Sequence, residues 1–420
     1  LPQETLLRAL KYLWVQGLHV EAHLSTYFSP NTHLTGEALG LLYLGSFVPN
    51  LPDAARWRRL GWRILVDQLG AQVEADGTYF ERATYYHRYT VDIYTHALLL
   101  GRSMGALRPA LEAVEERLGG LMAHLAALTR PDGTTPLFGD DDGGHLWLPD
   151  PSRPDDFRSS LATGAALLGR PDLAFVARDA TEEALWLLGP GALEAFDGQE
   201  LRPPEELSRA FPQGGFFVFR DGWGDDALQA VVDAGPHGVL NCGHAHADAL
   251  SLDLSVGEQP VLVDPGTYGY VDPQERRAFR EGRSHNTATV DGEGSSEPGG
   301  PFQWVRVADA EACCWRTGDR FDVLVGEHYG FRHLGGAGLH RRDVVFARGH
   351  GWLLRDRVEV DEGRRVELTF QGAPGLRAGE EAGGLNLRTD EGKGLLWLWT
   401  FPLVGGRVEG VLDKGWVSDV

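Results

Sequence analysis

The sequence predicts a multidomain α + β chain, helical in its first half and built of antiparallel β-sheet in its second. Two observations predict it. The hydrophobic period changes near residue 200, and the 420 residues exceed the ~250–300 that one hydrophobic core usually organises. Two domains follow as the expectation, residues 1–205 and 206–420.

In the first half apolar residues recur at the spacing of a helix that buries one face. Leu6, Leu7, Leu10, Leu13 and Trp14 form one such set, Leu60, Ile64, Leu65 and Leu69 another, and Leu111, Val114, Leu118, Leu121 and Leu125 a third. Breaks rich in Pro, Gly and Asp at 49–52, 76–77, 131–133 and 149–154 separate them, the punctuation of helical hairpins packed side by side. Beyond Pro203 and Pro204 the period is two, in β-rich runs at 216–219, 250–254, 321–325, 344–346 and 366–370. No helix-length connections intervene, so these strands suit stacked antiparallel sheets.

Charge narrows the function. With 60 acidic against 39 basic residues and a net charge of −21, the chain lacks the cationic surface that a nucleic-acid partner requires. Any anionic substrate must be held by a local cluster. Cys242, Cys313 and Cys314 cannot build a disulfide framework, and no run of about 18 apolar residues is present to span a membrane. The opening Leu1-Pro2-Gln3-Glu4, without an initiator Met or a signal-peptide pattern, reads as a processed or trimmed polypeptide.

Chemistry concentrates in residues 242–286. His244, His246 and Asp248 alternate along a run that leads into the strand-like 249–256, so an extended backbone would place all three on one side. Downstream, the apolar run 261–263 ends in Asp264, and His285 precedes another strand. Two imidazoles and a carboxylate suit zinc. The blander reading is a set of separate loop histidines, each with its own hydrogen bonds. His-x-His-x-Asp is also the signature of metallo-β-lactamase-like hydrolases, whose motif continues with a further His. Here Ala249 stands in that place, and a helical N-terminal half fits that fold poorly.

Three blocks in order, residues 241–251, 263–268 and 284–287, resemble the signature of the heparinase II/III-like polysaccharide lyases, which include oligoalginate lyases. The gaps agree as well (264 − 246 = 18 and 285 − 264 = 21). Carried over residue by residue, the resemblance implies that His246, Asp264 and His285 bind a zinc ion while His244 faces substrate. Residues 29–37 resemble the family's helix-start block, in which an Asn and a His meet the uronate carboxylate. That points to Asn31 and His33, with Thr32 where the family more often has Asn. Glu37, one helical turn beyond His33, is placed to orient it. Residues 77–89 resemble a block ending in Tyr-His, which implies Tyr86 as the catalytic tyrosine, flanked by Tyr85 and Tyr89 as substrate contacts. The resemblance also implies the fold, an incomplete (α/α) toroid followed by an antiparallel β-sandwich domain with the site in the cleft between them. It implies a periplasmic or secreted setting.

β-Elimination from a uronate-linked chain removes the C5 proton and expels the oxygen at C4. Neutralising the carboxylate stabilises the enolate-like intermediate, the role expected of Asn31 and His33. Tyr86 and His244 suit the base and acid, in either order. A free phenol has a pKa of about 10, so a basic tyrosine needs nearby cations. Tyr268 or Tyr270 offers a second tyrosine, Tyr270 being preferred by its place after the Asp-Pro-Gly turn. The basic run Arg276, Arg277, Arg280 and Arg283 reads either as a polymer contact or as a solvated helix face. Zinc is expected to be structural, locking the strands that present His244. Trp147, Trp304 and Trp315 are read as core rather than as sugar platforms. The expected partner is an anionic polysaccharide or oligosaccharide.

Overall fold

A computed structural model describes residues 2–147, 149, 153–381 and 384–398. The expected second domain ran to residue 420, and its last residues, 399–420, lie outside the described residues. The helical half comprises α1 (Gln3–Ala22), α2 (Thr32–Phe47), α3 (Ala54–Gln72), α4 (Thr84–Ser103), α5 (Arg108–Leu128), α6 (Arg158–Leu168), α7 (Pro171–Ala177), α8 (Glu182–Leu188) and α9 (Gly191–Asp197). Its core gathers the periodic residues, with Leu65, Leu69, Val114, Leu118, Leu121 and Leu125 buried beside the aromatic face of α4. The period of α1 yields its helix but not its burial, since Leu6, Leu7 and Leu13 remain exposed.

The second half begins with β1 (Arg209–Phe211), β2 (Phe216–Arg220), β3 (Leu228–Asp233), β4 (Leu252–Val256) and β5 (Gln259–Leu262), an antiparallel sheet in that order. α10 (Pro273–Arg280) and the short strand β6 (Ala288–Val290) follow, then the ribbon of β7 (Glu297–Gly300) and β8 (Gln303–Arg306). A second sheet runs β12-β11-β10-β9, from β9 (Ala310–Arg316), β10 (Phe321–His328), β11 (Leu339–Ala347) and β12 (Gly351–Glu359). β13 (Val366–Leu368) pairs with β6, and β14 (Arg377–Glu381), β15 (Gly384–Arg388) and β16 (Gly394–Leu398) form a third sheet. Helices first and stacked antiparallel sheets second is the architecture that the change of period predicts.

Strand β2 explains how the halves join. Every residue of it is buried, which requires cover on both faces because successive side chains alternate. Phe217 and Phe219 point into the sandwich core against Leu324, Val344, Phe346 and Trp315. Phe216 and Val218 point the other way and pack on Leu128 and Phe138 of the helical half. Each fully buried side chain of this kind stabilises by about 1.5–3 kcal/mol.

Polar groups complete the seam. The last carbonyls of α5 have no partner within the helix, and the β half supplies them. Arg220 Nη2 donates to the Thr129 carbonyl at 2.6 Å, and Gln229 Nε2 donates to those of Ala127 and Leu128 at 3.1 and 3.2 Å. Arg130 makes a two-pronged contact with Asp253, its Nε donating to Oδ1 at 2.9 Å.

Candidate active site

Residues 239–251 are an irregular loop between β3 and β4, not the extended run on which the alternation of His244, His246 and Asp248 was expected. Leu240, Cys242 and Leu250 have φ of 54°, 51° and 63°, a left-handed conformation that costs a non-glycine residue about 1–2 kcal/mol. Surrounding contacts hold it. Trp304 Nε1 donates to the Cys242 carbonyl at 2.7 Å, Arg280 Nε to that of Ala245 at 3.3 Å, and the Ala247 amide to that of Arg280 at 2.9 Å. The turn sends the two histidines into different environments.

His246 turns inward. It lies with Asp264 and His285, all three buried, with one ligand atom from each within 4.8 Å of the others. His285 Nδ1 pairs with Asp264 Oδ2 at 2.8 Å and His246 Nε2 with Asp140 Oδ1 at 2.9 Å. Each ring then keeps one buried nitrogen without a partner among the described residues, His246 Nδ1 and His285 Nε2. Burial holds His246 down at a pKa of about 4, the neutral form that a metal requires. Two free imidazole nitrogens facing a carboxylate fit a zinc-class cation. Neither His244 nor Asp248 belongs to this trio, so the His-x-His-x-Asp order does not supply the ligand set. Burial instead pushes the Asp248 carboxyl up to about 7.

His244 turns toward the helices. Its ring stacks on Tyr86 from the first turn of α4, with centroids 4.0 Å apart and planes at 27°. His244 Nδ1 meets Asp140 Oδ2 at 3.1 Å, and Nε2 lies 3.8 Å from Glu81 Oε1. Burial disfavours its charged form, but Asp140 and Glu81 outweigh that and raise its pKa. Glu81 Oε1 also accepts from Asn31 Nδ2 at 2.7 Å and Oε2 from the Tyr79 hydroxyl at 3.0 Å. Glu81 thereby links the start of α2 to His244.

Asp140 is the hub of the junction and was not singled out from the sequence. Fully buried, it takes Arg276 through both terminal nitrogens and the Thr267 hydroxyl at 3.2 Å, besides the two histidines. Burial pushes its carboxyl up, but His244, His246 and Arg276 hold it well below the usual range. Its loop approaches so closely that a Cβ on Gly139, at φ +71°, would sit 2.8 Å from the His244 carbonyl oxygen. Two residues on, Asp142 Oδ2 accepts the Tyr86 hydroxyl at 2.9 Å. Tyr270, on the connection from β5 to α10, packs against Phe302 and under the Arg276 guanidinium. Its buried hydroxyl has no hydrogen-bond partner of good geometry among the described residues, yet is near enough to act on the Tyr86 ionisation.

Tyr86, His244, Tyr270 and Asn31 are thus gathered at the junction, and other expected contacts lie elsewhere. His33 is exposed one residue into α2. Glu37 does not orient it, because both its carboxylate oxygens take hydrogen bonds from Ser25, each at 2.7 Å. Tyr85 is buried in the helical core, edge-on to His145 and Phe157, so it is packing rather than a substrate contact. Tyr89, half-buried, lies alongside Gly36 of α2. Tyr268 is exposed and stacks on Phe279. Arg280 is neither a polymer contact nor solvated. It is fully buried, donates to the Gly300 and Pro301 carbonyls at 2.7 and 3.0 Å, and lies over Trp304.

This arrangement is a two-part scaffold, a helical half and a β-sandwich, with a tyrosine and a histidine meeting across the seam and a buried trio behind. The heparinase II/III-like C-terminal family model matches residues 203–420, and the heparinase II/III N-terminal model matches residues 3–145. The chain belongs to the heparinase II/III-like family.

Among its relatives is a heparin-sulfate lyase of Bacteroides stercoris, 26% identical over 352 residues that cover 83% of this chain and 46% of that protein. Another, from Pedobacter heparinus, is 26% identical over 351 residues, covering 82% and 47%. The crystal structure of a heparan sulfate lyase HepC mutant from Pedobacter heparinus superposes with a TM-score of 0.68 at 23% identity, over 92% of this chain and 54% of that one. A heparinase III structure gives a TM-score of 0.67 at 17% identity, over 86% and 52%. These structural likenesses speak for the fold. The chain spans about half the length of the curated relatives it matches.

Proposed function

We propose that this chain carries the active site of a polysaccharide lyase that cleaves a uronic-acid-containing, glycosaminoglycan-type chain by β-elimination. The observation that carries the reading is the stacked pair Tyr86 and His244 at the junction, with Tyr270 beside it. Elimination needs a group that takes the C5 proton, one that protonates the leaving oxygen, and donors to the carboxylate. The junction offers a phenol on each side of the seam and an imidazole held toward its charged form. Asn31 gives one amide N–H to Glu81 and retains the other, and His33 stands exposed beside it. The names of the relatives, heparin-sulfate lyases, support both the reaction and the substrate class.

His246, Asp264 and His285 are the residues that would hold a structural zinc ion. Such an ion supplies positive charge among buried carboxylates and ties the 239–251 loop to the strands behind it. The protons of the elimination are handled by the groups in front.

The test is incubation with heparan sulfate, heparin, chondroitin, hyaluronan and alginate while following the far-ultraviolet absorbance of the new C4=C5 bond. The reading expects absorbance to rise on at least one polymer and to vanish in Tyr86→Phe and His244→Ala with folding intact. Binding without any unsaturated product, unaltered by either substitution, would instead identify a catalytically silent polysaccharide-binding protein.

A further inference from the structure

We propose that Asp142 is the proton acceptor behind Tyr86, so that the phenol removes the C5 proton only by passing its own proton on to this carboxylate. The proposal rests on the lyase reading above and assigns the base that the reading leaves open.

The geometry is that of a fixed relay. The Tyr86 hydroxyl donates to Asp142 Oδ2 at 2.9 Å, while the Gly144 amide donates to Oδ1 at 2.9 Å and holds the carboxylate in place. The loop that carries it is pinned on both sides, the Gly143 amide donating to Asp141 Oδ1 at 2.8 Å and the Asp140 amide to the His244 carbonyl at 2.9 Å. Asp142 is exposed, so a proton that reaches it can leave to water.

A tyrosinate base is not available at this position. Burial raises the Tyr86 pKa far above that of a free phenol, and Tyr270 and Asp142 raise it further. Tyr86 is faced by Asp142, by His244 from the loop before β4, and by Tyr270. Asp142 in turn acts on Tyr85, Tyr89, Asp141 and His145 around it. None of these stands between the two oxygens.

The step balances as follows. The C5–H bond breaks and its proton goes to Tyr86 Oη as the hydroxyl proton crosses to Asp142 Oδ2. The C5 electron pair forms the C4=C5 bond, and the C4–O4 bond breaks. The leaving oxygen takes its proton from the β side of the cleft, from His244 or Tyr270. Asp142 then loses its proton to solvent, and the Tyr86 hydroxyl, carrying the former C5 proton, donates to it again.

Asp142→Asn tests this, because the amide keeps an oxygen for the Gly144 N–H but cannot take a proton. We expect kcat to fall about 10²–10³-fold with KM within about threefold, and Asp142→Glu to restore about a tenth of the rate. An Asn variant that retains the wild-type kcat, or one that loses only KM, overturns the relay. A second readout needs no turnover. With ring-labelled tyrosine, the Tyr86 resonance, assigned by its loss in Tyr86→Phe, should shift at neutral pH in Asp142→Asn as the hydroxyl loses its carboxylate acceptor, and an unmoved resonance also overturns the pairing. If the wild-type chain cleaves no uronate polymer yet this resonance moves, the lyase reading has failed and the relay as a catalytic step falls with it, while the contact itself stands.

Discussion

His244 and His246 stand two residues apart and share one carboxylate, yet they belong to two unlike regions of the molecule. In front, His244 lies against Tyr86 at the seam, with Asp140 and Glu81 raising its pKa. Behind, His246 is wholly enclosed with Asp264 and His285, and burial outweighs the same Asp140 and holds it neutral. A shared partner does not fix what an ionisable group does. What decides is how much solvent is lost and how many further charges are in reach. The front is therefore suited to moving protons and the back to holding charge still, and each substitution below strains that division.

The largest effect should fall on the front. Tyr86→Phe removes one oxygen from a packed ring, so the product absorbance rate should drop about 10³-fold, within the usual range for a lost acid–base group, while the thermal melt stays in place. A melt that falls with the rate would make Tyr86 a structural residue. Next comes the back. His285→Ala strands Asp264 in a buried site, and removing one partner of such a pair costs about 3–5 kcal/mol. On the proposed zinc site, elemental analysis should find metal in the parent and none in the variant, and a chelator should lower the melting temperature of the parent but not of the variant. A variant that melts like the parent and loses only turnover would erase the distinction between the regions. The seam should respond less than either region. Arg130→Ala leaves Asp253 buried without its guanidinium, about 3 kcal/mol by the same reasoning, and limited proteolysis should then cut between the halves sooner.

The front and back were not equally legible. The change of period gave both halves because a helix and a strand bury residues at different spacings, and the three blocks carried His244 together with His246, Asp264 and His285. The strained loop was illegible: alternation placed His246 with His244 and Asp248, but a turn at Gly243–His244, closed by the Ala245 amide on the Cys242 carbonyl, and a bend at Ala247 break the extended run. Asp140 was hidden by distance, lying 104 residues from His244 in the chain. Its one local signal was three consecutive aspartates between Gly139 and Gly143, a loop composition with no period to read. Arg276 and Arg280 share a helix face with one turn between them, and sequence reveals that face without revealing that it is the buried one. Both brace the His244 loop.

A third pair of histidines sharpens the comparison through pH. His87 and His124 lie tilted to each other with ring centroids 4.4 Å apart beneath the seam, and His124 meets Phe211 and Phe216 of the β half edge-on. Unlike His244, neither is hydrogen-bonded to a carboxylate of the described residues; His87 gives Nε2 to the Leu121 carbonyl at 2.8 Å, and both nitrogens of His124 are unpartnered among those residues. Burial therefore lowers the His87 pKa to about 4 and that of His124 further below its ordinary value. An unfolded histidine takes its proton near about 6.5, so between those values the unfolded chain binds more protons than the folded one. The stability contributed by neutral His87 is thus complete above pH 6.5 and is lost as the pH falls toward 4, about 3 kcal/mol in all. His87→Gln keeps a polar group at the position without the titration. Its melting temperature should fall less between pH 7 and pH 4.5 than the parent's does. Equal slopes would place the acid sensitivity elsewhere, with the buried histidines behind the site as the next residues to vary.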